Sequence, residues 1–150
     1  NSMSDSVRAN TLIIFVGDNG TPISNLQDYP ERRGKGTLYQ GGVRVPFIVA
    51  GAGVSRQGVR EDALVHLTDI YATLLEVGGA DLSGGVYNSH SFAHLLNSGS
   101  TEATRDYNYT EVSSGNNPGW TIRSDRYKLI DWDGGTQAFY KVVTDSFELV

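Results

Sequence analysis

Hydrophobic positions along the chain fall into short runs whose period changes from segment to segment. Leu12, Ile13, Ile14, Phe15 and Val16 form an unbroken apolar run of strand length, rich in β-branched and aromatic residues. Such a run suits a central strand covered on both faces, as in parallel sheets. Phe47-Ile48-Val49-Ala50 is a second short apolar strand, closed by Gly51 and Gly53. Ala63 to Leu67 is too short to assign. From Asp69 the period becomes helical: Ile70, Tyr71, Leu74, Leu75 and Val77 share one face. Thr68 or Asp69 can cap that helix and Gly78-Gly79 stops it. Ser91 to Leu96 predicts a short helix with Phe92, Leu95 and Leu96 as its apolar side. Further on the pattern alternates. Residues 107–112, 120–123, 127–132 and 138–143 read as strands joined by a loop at 113–119 and turns at 124–126 and 133–136, an antiparallel meander. Asn1 to Ser6 reads as the tail of a helix, and the stretch from Thr21 to Arg33, with Pro22 and Pro30, as loop.

The totals narrow the function class. A chain of 150 residues suffices for one ordinary domain with a real core. A hydrophobic fraction of 39% and a charged fraction of 19% are those of a folded domain. The formal net charge of −5 and the lack of a basic cluster argue against a nucleic-acid partner. With no cysteine, disulfides and thiolate metal sites are excluded. No apolar run approaches the roughly 20 residues of a membrane span.

Chemistry becomes plausible where the first strand ends, at Gly17-Asp18-Asn19-Gly20. In open α/β sheets ligands gather beyond the carboxyl ends of strands. Asp18 and Asn19 supply one charged and one neutral oxygen donor there, suited to Ca²⁺ or Mg²⁺. On those residues alone a turn is the better reading, because Asp-Asn-Gly favours left-handed backbone. Next comes Gly34-Lys35-Gly36-Thr37, followed by Gly41-Gly42-Val43-Arg44-Val45-Pro46. Flanking glycines permit close backbone approach and leave the Lys35 head unobstructed as a point charge for an oxyanion, with Thr37 as a hydroxyl donor. The P-loop pattern is absent, and a lone lysine is more often solvated surface. His66 with Asp69 reads as a satisfied core histidine and a helix cap. His90 and His94, four apart, lack a third zinc ligand and read as solvent-facing. Trp120 and Trp132 suit a carbohydrate-stacking surface, though cross-strand packing is the stronger reading. Sequons occur at Asn19 and Asn108.

Taken together, GDNG, KGTLYQGGVRVP and VHLTDIYATLLEVGGA resemble the C-terminal half of the type I sulfatases, within the alkaline-phosphatase-like superfamily. The late RSDRYKLI segment extends the likeness over nearly the whole chain. The resemblance implies an α/β fold: part of a central sheet with packed helices in the catalytic domain (residues 1–100), then an incomplete small antiparallel sheet (101–150). It implies that Asp18 and Asn19 ligate the metal, usually Ca²⁺ with Mg²⁺ as the alternative, and that Lys35 contacts the substrate's sulfate as a catalytic residue. The family's nucleophile is a formylglycine made from a Cys/Ser-x-Pro/Ala-x-Arg motif. This sequence lacks that motif, so the resemblance implies a C-terminal fragment whose formylglycine and remaining metal ligands lie on a missing N-terminal half. Implied partners are a sulfate ester, carbohydrate among the candidates, and that missing half, with no nucleic acid and no membrane. An excised sheet strand would further favour self-association. The implied location is extracytoplasmic: periplasmic, secreted or lysosomal. Phosphodiesterases and phosphonate hydrolases of the superfamily, or a non-catalytic calcium- or oxyanion-binding module, are the alternatives. One departure stands out. Gln40 occupies a position where the family usually has glutamate, so the local partner of Arg44 is open.

Overall fold

The computed structural model describes residues 3–97, 102–113 and 117–149. These form two compact units interleaved in sequence, residues 1–15 with 47–105 and residues 16–46 with 106–150. The chain passes from one unit to the other after residues 15, 46 and 105.

In the first unit a short helix, α1 (Asp5–Ala9), begins the described chain. The Ser4 hydroxyl accepts from the Val7 N–H at 3.4 Å, and Asp5 pairs with Arg8 at 2.6 Å. A serine cap and an acidic first turn are helix-start signals. The segment is therefore a helix of its own starting at Asp5, where the sequence suggested a tail ending near Ser6; residues 1–2 of that stretch lie outside the described residues. Strand β1 (Leu12–Val16) pairs with β2 (Phe47–Gly51) in a two-stranded sheet. Thr11, just before β1, accepts from Ala52, just after β2, at 2.9 Å. The start of one strand thus meets the end of the other, and the pair is antiparallel. The expectation of a strand covered on both faces is corrected here: Ile13, Phe15 and Ile48 are 50–60% exposed, and only the alternate residues are half-buried. Phe47 and Val49 point into a core built on Phe92, Leu95 and Leu96. Phe47 meets Phe92 edge to face at 5.4 Å between ring centres.

Helix α3 (Asp69–Val77) starts and stops where the pattern predicts, with Gly78 as its C-cap. Its packed face differs. The buried residues are Asp69, Ala72 and Thr73, while Tyr71, Leu74 and Val77 are about half exposed. The reason is a polar network. Asp69 is fully buried and receives Arg105 through Nε at 2.7 Å and Nη2 at 2.5 Å. It also accepts the backbone N–H groups of His66 and His90, each at 2.8 Å. The Thr73 hydroxyl accepts from the Phe92 N–H at 3.0 Å, and the Ser89 hydroxyl donates to the Thr68 carbonyl at 2.6 Å. Small and polar residues therefore face inward because the 88–92 loop needs its backbone satisfied. Helix α4 (Ala93–Leu96) begins after His90, so His90 and His94 do not share a helical face. The His94 ring instead meets the Glu102 carbonyl at 3.0 Å.

The second unit carries an antiparallel meander in the order β3 (Asn108–Val112), β4 (Gly119–Arg123), β5 (Lys128–Trp132) and β6 (Gln137–Tyr140). Register places Tyr109 opposite Ile122, Ile122 opposite Leu129, and Leu129 opposite Phe139. The inner face contributes Ile130 and Tyr140 to a core completed by Leu38 and Val142, with Trp132 packed at its margin. On the outer face Trp120 stacks on Tyr109 with ring centres 6.1 Å apart, the cross-strand packing that the pattern favoured.

The Asp69 carboxyl is the first unit's most exacting polar group. Burial pushes its pKa up, but the Arg105 guanidinium and the two backbone donors outweigh this and hold it below 3.8. A carboxyl depressed in the folded state contributes its full stability above the unfolded value and loses it as pH falls through the lower folded value. Stability should therefore be level above about pH 5 and fall below pH 4. Asp69→Ala, which strands Arg105 and two N–H groups, should cost about 3–5 kcal/mol. Urea melts taken from pH 7 down to about pH 2 check both: the difference between the variant and wild type should hold from pH 7 to about pH 5 and narrow progressively as pH falls below 4.

Candidate functional site

The candidate residues sit on a junction of three backbone segments within the second unit. Gly17 to Thr21 follow β1, Gly34 to Thr37 form a loop, and α2 (Gln40–Val43) carries Gly41 and Gly42. The Gly20 N–H donates to the Gly42 carbonyl at 2.9 Å and the Thr21 N–H to the Gly41 carbonyl at 3.1 Å. The Lys35 N–H donates to the Thr21 carbonyl at 2.8 Å. The segment bearing Asp18 and Asn19 is thus tied directly to the segment bearing Lys35. Glycine makes this possible. A Cβ on Gly20 would lie 2.1 Å from the Gly41 oxygen, and one on Gly42 would lie 2.2 Å from the Thr37 oxygen. Neither is tolerable against rigid backbone. The sequence assigned the glycines beside Lys35 to approach of a bound group. The structure gives them different tasks: Gly34 packs against the Thr21 carbonyl, and Gly36 adopts a left-handed backbone with φ 83°.

Asp18 is exposed and Asn19 half-buried; Asn19 Nδ2 donates to Asp18 Oδ1, so a carboxylate and a carboxamide lie side by side. A carboxylate and a carboxamide each carry an oxygen donor suited to a hard cation as part of a coordination shell. Among the described residues no group of three or more His, Cys, Asp or Glu could hold one. Lys35 is exposed, and Thr37 directs its hydroxyl to the Gly34 carbonyl at 2.8 Å, which stabilises the loop. A cleft of about 640 Å³ opens beside Lys35, lined also by Arg32, Tyr39, Asn117 and Trp132.

Behind the loop lies an ion pair that the motifs did not signal. Lys128 and Glu148 are both fully buried, 2.6 Å apart. Lys128 Nζ also donates to the Leu38 carbonyl at 2.6 Å, and Glu148 Oε2 accepts the Gln40 N–H at 2.7 Å. Burial pulls the Lys128 ammonium below its usual pKa, and the Glu148 carboxylate opposes that. A signal was available in β5, whose alternation puts Lys128 on the same face as Ile130. An inward lysine in such a row requires an acidic partner. Gln40 itself is 2% exposed, and Arg44 forms no ion pair among the described residues. Arg44 instead adds its charge to the burial that lowers the pKa of Arg123.

A family model described as Sulfatase matches residues 3–80. A sulfatase of Formosa agariphila is 42% identical over 80 residues, covering 53% of this chain and 14% of that protein. An ulvan-active sulfatase of the same organism is 29% identical over 126 residues, covering 81% of this chain and 23% of that protein. Among solved structures, a 2-O GAG sulfatase superposes with a TM-score of 0.80 at 24% identity, covering 97% of this chain and 32% of that one. At that identity the likeness shows the fold. It is an α/β sulfatase fold, with part of a sheet, packed helices and a small antiparallel sheet. The chain spans less than a third of the length of each of these curated relatives.

The buried pair makes a testable link between the meander and the loop. Lys128→Met leaves Glu148 charged and buried and should destabilise by about 3–5 kcal/mol. The double variant Lys128→Met with Glu148→Leu should recover part of this loss, because the Leu38 carbonyl and Gln40 N–H would still lack their partners. A double-mutant cycle by chemical denaturation measures the coupling; additive losses would exclude it.

Proposed function

The chain belongs to the sulfatase family, and from that premise we propose that it is the C-terminal part of an enzyme hydrolysing sulfate esters with a divalent cation. The observation that carries this reading is the glycine-packed junction, which ties the Asp18-Asn19 strand end to the Lys35 loop through one backbone hydrogen bond and to α2 through two more. In the proposed site Asp18 and Asn19 are two ligands of a Ca²⁺ ion, or of Mg²⁺ as the alternative. Two donors fall short of the roughly 6–8 oxygens that Ca²⁺ takes, so the remainder come from upstream residues of the same protein. When bound, the cation supplies Lewis-acid stabilisation of the sulfate oxygens. Lys35 adds a positive charge to one of those oxygens and offsets the charge that develops as the S–O bond breaks. The nucleophile, a formylglycine, is proposed to lie upstream as well. This chain by itself then binds the cation weakly and does not turn over. Relatives named as ulvan-active and as a 2-O GAG sulfatase support sulfated carbohydrate as the substrate class and an extracytoplasmic location.

Two variants in the full-length protein test the assignment. Asp18→Ala should lower bound calcium, read by elemental analysis, and turnover together; full metal content with unaltered turnover would remove Asp18 from the site. Lys35→Ala should reduce kcat/KM on the order of 100-fold while thermal unfolding stays unchanged. An unaltered rate would return Lys35 to the solvated surface. The 150-residue chain assayed alone with aryl and sugar sulfates in millimolar Ca²⁺ should give no multiple turnover, with the full-length protein as positive control.

A further inference from the structure

The cleft beside Lys35 has a composition that sulfate binding alone does not require. Its volume of about 640 Å³ lies in the range of small-molecule pockets and exceeds the needs of one tetrahedral anion. Its lining includes Trp132, Asn117 and a second cation, Arg32. Arg32 is held in an unusual way. The Arg33 N–H donates to the Pro30 carbonyl at 3.2 Å, closing a turn in which Arg32 takes the third position with φ 67°. That position normally takes glycine or asparagine, and a bulky residue there raises the free energy of the fold. Its neighbour Arg33 lays its guanidinium over the Tyr39 ring, 4.5 Å from the centre, whereas Arg32 is exposed at the cleft and forms no ion pair among the described residues. Trp132 packs at the core margin against Tyr39, with ring centres 5.9 Å apart, and remains partly exposed.

We propose that this cleft binds the sugar of the substrate, with Arg32 holding a second anionic group on it, a sulfate or carboxylate distinct from the ester that Lys35 contacts. The chemistry is complementary. An aromatic side chain offers a surface for the apolar face of a pyranose, an amide pairs with its hydroxyls, and a guanidinium takes a second oxyanion in a forked geometry. A strained arginine at a glycine position is accounted for if its side chain has this task. The site would then select sugars bearing at least two negative groups over singly sulfated ones. The inference rests on the sulfate-ester reading above.

Calorimetric titration of the full-length protein with two probes tests it. The probes are inorganic sulfate, which reads the Lys35 position, and D-glucosamine-2-N,6-O-disulfate, which reads the cleft as well. Arg32→Gly suits the observed φ and should leave the thermal midpoint level or raised. It should weaken the disulfated sugar roughly tenfold with little effect on inorganic sulfate, the loss expected for one charge-assisted hydrogen bond. Arg32→Lys should restore part of that affinity, and Trp132→Phe, which keeps a ring against Tyr39, should weaken the sugar but not the sulfate. Unchanged sugar binding in Arg32→Gly, equal loss for both probes, or no binding of the sugar to the wild-type protein would each overturn the proposal. Sulfate binding that survives Lys35→Ala would instead refute the role given to Lys35 and leave the Arg32 result standing.

Discussion

The second unit depends on bare backbone packing against bare backbone. At Gly20 and Gly42 the carbonyls of neighbouring segments come so near that no side chain fits between them. Backbone hydrogen bonds tie the strand end to the Lys35 loop and to α2, and the 38–40 segment between those two needs an anchor of its own. The buried Lys128–Glu148 pair provides it. The ammonium takes the Leu38 carbonyl and the carboxylate takes the Gln40 N–H, one residue to either side of Tyr39. Removing a lysine and a glutamate fully from water is costly, and their mutual attraction alone does not ensure a net gain. Their contribution is specificity: only one register of the 38–40 segment satisfies both charges, and that register sets where α2 presents Gly41 and Gly42.

The same pair bears on Gln40. A glutamate there would bring a second carboxylate next to a buried carboxylate already bonded to the residue's own backbone. Like charges in a desolvated pocket disfavour each other strongly. An uncharged amide of nearly the same shape avoids this while keeping the volume filled. Glu148 already supplies a buried carboxylate at the backbone of residue 40. Arg44, without an ion-pair partner among the described residues, lies near Arg123, whose buried guanidinium feels it as repulsion.

Local patterns carried much of this in the sequence. The four meander strands, the extent of α3 and its glycine stop, and the two apolar strands are set by alternation, period and turn residues acting over a few positions, and all were legible. The closeness of the Asp18-Asn19 segment to the Lys35 loop was legible only through family resemblance, because contact between residues 20 and 42 has no local signature. What misled was hydrophobic period taken as a map of burial. In α3 the apolar stripe is real, but the buried face is Asp69, Ala72 and Thr73. The loop at 88–92 needs hydrogen-bond partners that leucines cannot give, and a fully buried aspartate becomes favourable once Arg105 and two N–H groups surround it. The Lys128–Glu148 pair was hidden because its members are 20 residues apart and Glu148 lies outside any periodic segment.

The apolar residues that remain outside record a demand that these 150 residues do not meet. Phe15 is 60% exposed, Ile48 57%, Phe139 64% and Tyr71 53%, on strands and a helix whose opposite faces are packed. Single exposed apolar residues are ordinary, but ordered rows on regular elements are not. Residues 12–16 read as a strand buried on both faces because their composition suits one, and the structure covers only one face. A sequence evolved for this chain in isolation would place polar residues at positions 13 and 15, where an alternating strand meets water. Their apolar identity fits the proposal of a longer protein whose further residues cover this face, and a structural relative of which this chain covers 32% is of such a length.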